Sequence, residues 1–197
     1  MLSAGGARGS VLEEQGGSVV VMQAKKFNTV LFLCTGNFYR SRFAEIYFNW
    51  LAPRESLAWR ADSRGLALDP ANFGPLSTHT RLELQTLGIP LPDPLRDPLD
   101  AAVADFEAAR LIVALKEAEH RCLMQSRFPS WADRIEYWHV HDLDCAGPAE
   151  ALPQVKRHVE ELVLRLKQSA QVPPLHKGGA GGGGRTEISN FGFRISE

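Results

Sequence analysis

The residues best suited to chemistry lie in one short segment, in which a cysteine and an arginine stand six positions apart. That segment reads Cys34-Thr35-Gly36-Asn37-Phe38-Tyr39-Arg40-Ser41, between an apolar run and a helical pattern. A loop before a helix N-terminus turns backbone N–H groups inward, where they bind the oxygens of an anion such as phosphate. Gly36 permits the tight turn, and the guanidinium of Arg40 can bond two such oxygens at once. The same positive surroundings stabilise a thiolate at Cys34, with Ser41 as a donor to the sulfur, so the segment predicts a cysteine nucleophile.

The elements around this loop predict an α/β fold. Apolar or β-rich runs predict strands over residues 29–33, 58–62, 111–114 and 135–140. Helical periodicity predicts helices from residue 42 to Pro53, from Ser77 to residue 87, from about residue 116, and along an apolar stripe from Leu152 to Leu166. This alternation predicts a Rossmann-like three-layer sandwich, in which helices flank a small parallel sheet. Ligands of such sheets bind beyond the carboxyl ends of the strands, where Cys34 lies.

Composition limits the range of functions. The chain has 197 residues, of which 44% are hydrophobic and 23% charged, and its net charge is −1. Without a basic stripe we expect no nucleic-acid partner, and the strand-sized apolar runs predict no association with a membrane. Three scattered cysteines, with no Cys-x-x-Cys pair, indicate reduced thiols and a cytoplasmic protein.

The chain divides into one domain and two tails. Residues 1–26 are rich in Gly, Ser, Ala and Glu, and we expect a flexible extension there. Residues 27–170 form the predicted domain. Residues 171–197 contain the run KGGAGGGGR, which predicts a flexible linker and a disordered tail.

A resemblance to a known family covers the predicted domain. The run Val30-Leu31-Phe32-Leu33-Cys34-Thr35-Gly36-Asn37, followed by Arg40-Ser41, resembles the signature of the low-molecular-weight protein tyrosine phosphatases. Ala61-Asp62-Ser63 and Leu87-Gly88-Ile89-Pro90 are similar to two further segments of that family. Residues from about 28 to 167 follow the family layout.

The resemblance implies a role for each residue of the site. Cys34 would attack phosphorus and form a phosphocysteine, Arg40 would bind the phosphate, and Ser63 would support Asn37. Asp142 aligns best with the family's general acid, which protonates the leaving oxygen, and Asp144 is the alternative. The resemblance implies no cofactor and no metal, and a phosphorylated protein or a small phosphate monoester as substrate, foremost protein phosphotyrosine. The residues expected to bind substrate are Thr35, Gly36, Asn37, Phe38, Tyr39 and Ser41.

The sequence departs from the family pattern around the loop. Tyr39 stands where many members have a second cysteine, which can trap the oxidised nucleophile as a disulfide. Arg42 replaces a frequent proline, and Asp93 stands where a loop-supporting histidine is frequent.

Further departures surround the expected acid. Leu143 replaces the proline that usually follows the acid, and Asp144 and Cys145 stand where many members have tyrosines beside the phosphotyrosine ring. These changes bear on the preference for phosphotyrosine and leave the core chemistry in place.

Other functions fit parts of the same sequence. A thiol-dependent arsenate reductase could use the same loop, although its two further cysteines usually lie close together, whereas Cys122 and Cys145 are far apart. A non-catalytic module could use the loop to bind a phosphorylated partner. A metal site over His139, His141 and the residues after them is disfavoured because no second group with ligand spacing is present.

Overall fold

The computed structural model of the chain describes residues 27–140 and 148–171. Its elements, in chain order, are β1 (Asn28–Cys34), α1 (Arg40–Arg54), β2 (Trp59–Gly65), α2 (Thr78–Thr86), α3 (Val103–Ala108), β3 (Leu111–Ala114), α4 (Glu117–Arg127), β4 (Glu136–Tyr137) and α5 (Pro148–Gln171). The predicted extension at 1–26 lies outside the described residues, as does the predicted tail beyond Gln171.

The four strands form one parallel sheet in the order β2-β1-β3-β4. In its register, Cys34 pairs with Gly65, and Leu33 pairs with Ala114. Parallel neighbours require crossover connections, which the helices between the strands provide. Because the strands run the same way, their carboxyl ends share one edge, and the loop after Cys34 begins at that edge.

Alternate residues of the central strands enter two separate cores. Val30, Phe32 and Val113 pack with residues of α1, α2 and α5 on one face of the sheet. Leu31 and Ile112 pack on the other face, with residues of α3 and α4. Both faces of β1 are therefore covered, which is why its sequence is continuously apolar. These layers confirm the predicted three-layer α/β class.

Most of the predicted elements are present. Ser77 caps α2 by accepting a hydrogen bond of 3.1 Å from the backbone N–H of Thr80, and Gly88 follows the helix with φ +67°. The predicted strand at 135–140 was too long, because the pairing with β3 covers only Glu136 and Tyr137. The short α3 was not predicted, since its six residues carry too little periodicity. Within the described ranges, no helix combines the length and apolar character needed to cross a membrane.

Candidate functional site

The loop at residues 35–39 follows β1 directly and packs against the chain that follows β2. Cys34, the last residue of β1, is 3% exposed. The backbone N–H of Leu66 donates to the carbonyl of Cys34, and that of Ala67 donates to the carbonyl of Thr35, each at 2.9 Å. These bonds extend the pairing of β1 with β2 past the last strand residues, and so they fix where the loop begins.

Gly65 allows this close approach. A Cβ atom at this position would lie 2.9 Å from the carbonyl oxygen of Thr35 and 3.2 Å from the Cβ atom of Asn37. The first distance involves backbone, which cannot move aside without displacing the loop. Gly65 is therefore a residue on which the position of the loop depends.

Asn37 lies at the centre of the loop and is fully buried. Its φ of +48° is in the left-handed region, which asparagine tolerates better than most residues. Its amide nitrogen donates to Ser63 Oγ at 2.8 Å and to Ser41 Oγ at 3.1 Å. Its side-chain oxygen accepts from Arg96 Nη1 at 3.0 Å and from the backbone N–H of Leu99 at 2.9 Å. All four of its hydrogen-bonding positions are thus used to hold the loop.

Ser41 connects Asn37 to the predicted nucleophile. Its Oγ lies 2.9 Å from Cys34 Sγ, and both residues are buried. Because Ser41 Oγ accepts from Asn37, its own hydrogen remains available to the sulfur. A Cys34 thiolate has no hydrogen to give, so in that state Ser41 is the donor and Cys34 the acceptor. The arrangement is suited to stabilising negative charge on the sulfur.

Behind Asn37 lies a group of charged side chains that sequence reasoning missed. Arg96 Nη2 donates to Glu45 Oε2 at 2.7 Å, to Ser63 Oγ at 3.0 Å and to the carbonyl of Ser63 at 2.8 Å. Ser63 Oγ in turn donates to Glu45 Oε2 at 2.6 Å. Arg42 Nη1 donates to the same carboxylate oxygen at 2.9 Å. We call Glu45, Ser63 and Arg96 the support group, because Ser63 and Arg96 bond Asn37 and Glu45 accepts from both of them.

The support group accounts for two departures from the family pattern. Asp93, at the position of the loop-supporting histidine, is exposed, and Arg96, three residues further along, contacts Asn37 and Ser63 instead. Arg42, at the position of a frequent proline, is 1% exposed and donates to Glu45 and to the carbonyl of Arg96. The contacts of Arg96 with Asn37 and Ser63, and of Arg42 with the carbonyl of Arg96, could not be predicted from spacing, because these partners lie far apart in the chain.

Arg40, the predicted phosphate-binding residue, is 2% exposed at the first turn of α1. Its Nη2 donates to both carboxylate oxygens of Glu119, at 3.1 and 3.3 Å. Thr35 Oγ1 donates to the same carboxylate. Burial favours the neutral acid, but contacts from His120 and Thr35 and the charge of Arg40 outweigh it and hold the pKa of Glu119 far below its usual range. Glu119 is a further residue of the site that sequence reasoning missed.

A cleft of about 500 Å³ opens over the loop. Cys34, Arg40 and Glu119 line it, together with aromatic residues at its walls. Phe38 is half-buried, whereas Phe73 is 87% exposed. The other residues that line the cleft are Thr35, Gly36, Tyr39, Ala67, Asp69, Asn72, Leu76, Ser77, Thr78 and His79.

The structure brings together most of the residues that the sequence predicted for the site. Cys34, Asn37, Ser41 and Ser63 form one hydrogen-bonded chain, and Arg40 lines the same cleft as Cys34. Thr35, Gly36, Phe38 and Tyr39 also line that cleft. The two candidates for the general acid, Asp142 and Asp144, lie outside the described residues.

Two other features from the sequence can be located in part. Within residues 27–140 and 148–171, no three acidic, histidine or cysteine side chains are grouped as metal ligands would be. His139 is described, but His141 and Cys145 are not. Cys122 is exposed on α4, and it is absent from the lining of the cleft.

Comparison with known proteins agrees with this geometry. The low molecular weight phosphotyrosine protein phosphatase family matches residues 29–172. A protein-arginine-phosphatase of Bacillus subtilis is 28% identical over 146 residues, which cover 70% of this chain and 93% of that protein. A crystal structure of a YwlE mutant from Bacillus subtilis is 25% identical, with a TM-score of 0.59 over 73% of this chain and 99% of that one. The crystal structure of YfkJ from Bacillus subtilis has a TM-score of 0.64 at 23% identity, over 74% of this chain and 98% of that one.

The family match spans well over half of the chain, and its solved relatives have the same fold. The chain therefore belongs to the low molecular weight phosphotyrosine protein phosphatase family. This assignment confirms the predicted fold class and the predicted class of enzyme, a cysteine-based phosphatase that acts on phosphorylated proteins or phosphate monoesters.

Proposed function

We propose that this protein hydrolyses phosphate esters through a phosphocysteine at Cys34. One observation carries the proposal: Cys34 Sγ lies 2.9 Å from Ser41 Oγ, which would donate to a thiolate there, in the cleft that Arg40 also lines. A thiolate that accepts such a hydrogen bond is a nucleophile, and a buried guanidinium lining the same cleft neutralises the charge of a phosphoryl group.

The reaction has two steps. The Cys34 thiolate attacks phosphorus, the S–P bond forms and the P–O bond to the leaving group breaks, while Asp142 gives its proton to the leaving oxygen. Asp142 then takes a proton from water, whose oxygen attacks phosphorus and releases Cys34 as a thiolate again. Arg40 and the N–H groups of the loop stabilise the oxygens of the phosphoryl group in both steps.

The position of the described chain next to Asp142 supports its proposed role. The backbone N–H of Val140 donates to the carbonyl of Leu115 at 3.0 Å, and that of Leu115 donates to the carbonyl of Leu33, also at 3.0 Å. Val140 therefore leaves the sheet at the edge where Cys34 lies, two residues before Asp142. Asp144 is the alternative acid.

A comparison of leaving groups separates the two acids. Asp142→Asn should slow hydrolysis of phenyl phosphate by roughly 100-fold, and hydrolysis of p-nitrophenyl phosphate by less, because the better leaving group needs less protonation. Asp144→Asn is the matched control and should keep most of the activity on both. The reverse pattern would make Asp144 the acid.

For the substrate we propose protein phosphotyrosine. The phosphate site lies at the bottom of a cleft whose walls include Phe38, Tyr39 and Phe73. Aromatic side chains of this kind pack favourably against a phenol ring. Phe73 is well placed for such a contact because most of its ring is exposed at the cleft.

Protein phosphoarginine is the second candidate. The protein-arginine-phosphatase of Bacillus subtilis is a relative at 28% identity, and the exposed carboxylate of Asp69 at the cleft could pair with a guanidinium. Matched peptides that differ only in the phosphorylated residue decide between the two. We expect the higher kcat/KM with phosphotyrosine, and a loss of that preference in Phe73→Ala. Preference for phosphoarginine, lost in Asp69→Asn, would support the second candidate.

Two other functions would give different results. Turnover of arsenate with added thiol, dependent on Cys122 or Cys145, would indicate an arsenate reductase. Binding of a phosphopeptide without any turnover would indicate a binding module. The scattered cysteines also support a cytoplasmic location, which we propose with the function.

A further inference from the structure

Glu119 places a negative charge of the protein itself inside the phosphate cleft. It belongs to the first turn of α4, and its side chain is 27% exposed. Its carboxylate accepts from Arg40 Nη2 at 3.1 Å and from the hydroxyl of Thr35. Thr35 belongs to the loop that forms the phosphate site, and Arg40 follows that loop as the first residue of α1. The carboxylate therefore occupies hydrogen-bond donors that an incoming phosphate would use.

One further cation and one imidazole lie near the same carboxylate. Lys116 Nζ lies 3.7 Å from Glu119 Oε2, and His120 Nε2 lies 3.7 Å from Glu119 Oε1. Burial opposes the charge, but the contacts with His120 and Thr35 and the charge of Arg40 outweigh it and keep the pKa of Glu119 low. The glutamate is thus an anion under all ordinary conditions, and it resembles a phosphoryl oxygen pair in charge and in the geometry of its bonds to arginine.

A phosphoryl group bound by the loop would meet this charge at close range. Arginine binds phosphate best through two parallel N–H bonds, and one of the two terminal nitrogens of Arg40 is already bonded to Glu119. Like charges a few ångströms apart in a partly buried cleft repel each other strongly. A partly exposed side chain in the first turn of a helix can move, and Lys116, three residues earlier at the N-cap of α4, offers a second cation.

We propose that Glu119 is a displaceable competitor for the phosphate site, which leaves Arg40 when a phosphoryl group binds and returns to it when inorganic phosphate departs. The inference rests on the proposed function, because it concerns the same site. Its consequence is weak binding of the product, because the Glu119 carboxylate competes with inorganic phosphate for Arg40. Substrates recover the lost affinity through contacts of the leaving group with the cleft walls, which inorganic phosphate lacks.

The test measures how tightly inorganic phosphate binds. With p-nitrophenyl phosphate as substrate, Glu119→Gln should lower the inhibition constant of inorganic phosphate by about tenfold. The substitution removes the repulsion between the Glu119 carboxylate and the bound phosphate. Glu117→Gln is the matched control. Glu117 lies two residues earlier in the same helix, pairs with Arg121 at 2.7 Å, and should leave the inhibition constant unchanged.

Direct binding separates this inference from the proposed function. Titration of inorganic phosphate into Cys34→Ser and into the double variant Cys34→Ser/Glu119→Gln requires no turnover, and the double variant should bind about tenfold more tightly. That result would support the inference even if the protein hydrolysed no ester. Equal or weaker binding in the folded double variant would overturn it, and would mean that Glu119 serves to orient Arg40.

Discussion

Arg96 Nη1 donates a hydrogen bond of 3.0 Å to the side-chain oxygen of Asn37, and so ties a residue before α3 to the centre of the catalytic loop. The other terminal nitrogen of Arg96 bonds Glu45 and Ser63. The guanidinium fork thereby fixes the distance between the loop and the support group. Because Asn37 then bonds Ser41, which bonds Cys34, the position of Arg96 bears on the nucleophile through three successive hydrogen bonds.

Loss of this fork should impair catalysis more than folding. Arg96→Ala should reduce kcat/KM by roughly 10- to 100-fold, because small displacements of reacting groups have effects of that size. Arg96→Lys should recover only part of the loss, since one ammonium group cannot span Asn37 and Glu45 as a planar fork does. Steady-state kinetics on p-nitrophenyl phosphate, at a temperature where melting curves show each variant folded, would measure this. A folded Arg96→Ala protein with wild-type kcat/KM would contradict the positioning role.

Asp62, which contacts the support group through Arg96, also makes stability depend on pH. Burial would raise the pKa of Asp62, but hydrogen bonding and charge from Arg64, with help from the N–H of Ser63 and the charge of Arg96, lower it below the usual value. The carboxylate therefore stabilises the fold above its unfolded pKa of about 3.9, and this contribution is lost as the pH falls through the lower, folded pKa. In Asp62→Asn, urea unfolding from neutral to acidic pH should show lower stability at pH 7 and a shallower acid loss. An unchanged acid dependence would show that Asp62 gains nothing from its partners.

Tyr39 should leave Cys34 open to irreversible oxidation. The described residues contain two free cysteines, Cys34 in the loop and Cys122 exposed on α4, and position 39 carries a tyrosine that lines the cleft. With no cysteine at position 39 to trap a sulfenic acid, peroxide should carry Cys34 on to the sulfinic state, which thiols do not reduce. Activity after peroxide and then dithiothreitol should stay low in the wild type and recover in Tyr39→Cys. Full recovery of the wild type would show that another thiol protects Cys34.

Local patterns in the sequence predicted the parts of the site that are contiguous in the chain. The apolar run before Cys34 and the helix after it suffice to predict a loop at the carboxyl edge of a parallel sheet. Since ligands of such sheets bind at that edge, the residues of this loop were predicted to form the site. The strand at 135–140 was predicted too long because a β-rich composition favours extended chain and does not report where strand pairing stops. The residue patterns were therefore sufficient to predict the helices and strands of the fold, except the short elements α3 and β4.

The residues that the sequence did not reveal act across long separations in the chain. Arg96, Glu45 and Glu119 are charged residues in stretches that resemble ordinary solvated surface, and nothing in their local spacing indicates that they meet the loop. Arg96 reaches Asn37 across 59 positions, and Glu119 reaches Arg40 across 79. The register of the sheet sets β3 and its following helix beside β1, which brings Glu119 to Arg40. Arg96 reaches the loop because the chain just after it pairs with Gly65 at the end of β2.

The most direct test of the account is steady-state hydrolysis of p-nitrophenyl phosphate by the wild type, Cys34→Ser and Cys122→Ser, with mass spectrometry of each protein after rapid quenching. We predict turnover by the wild type and by Cys122→Ser, with phosphate on the peptide that contains Cys34, and no turnover by Cys34→Ser. Turnover that survives Cys34→Ser would contradict the phosphocysteine mechanism, and folded wild-type protein without any turnover would contradict the proposed activity on this ester.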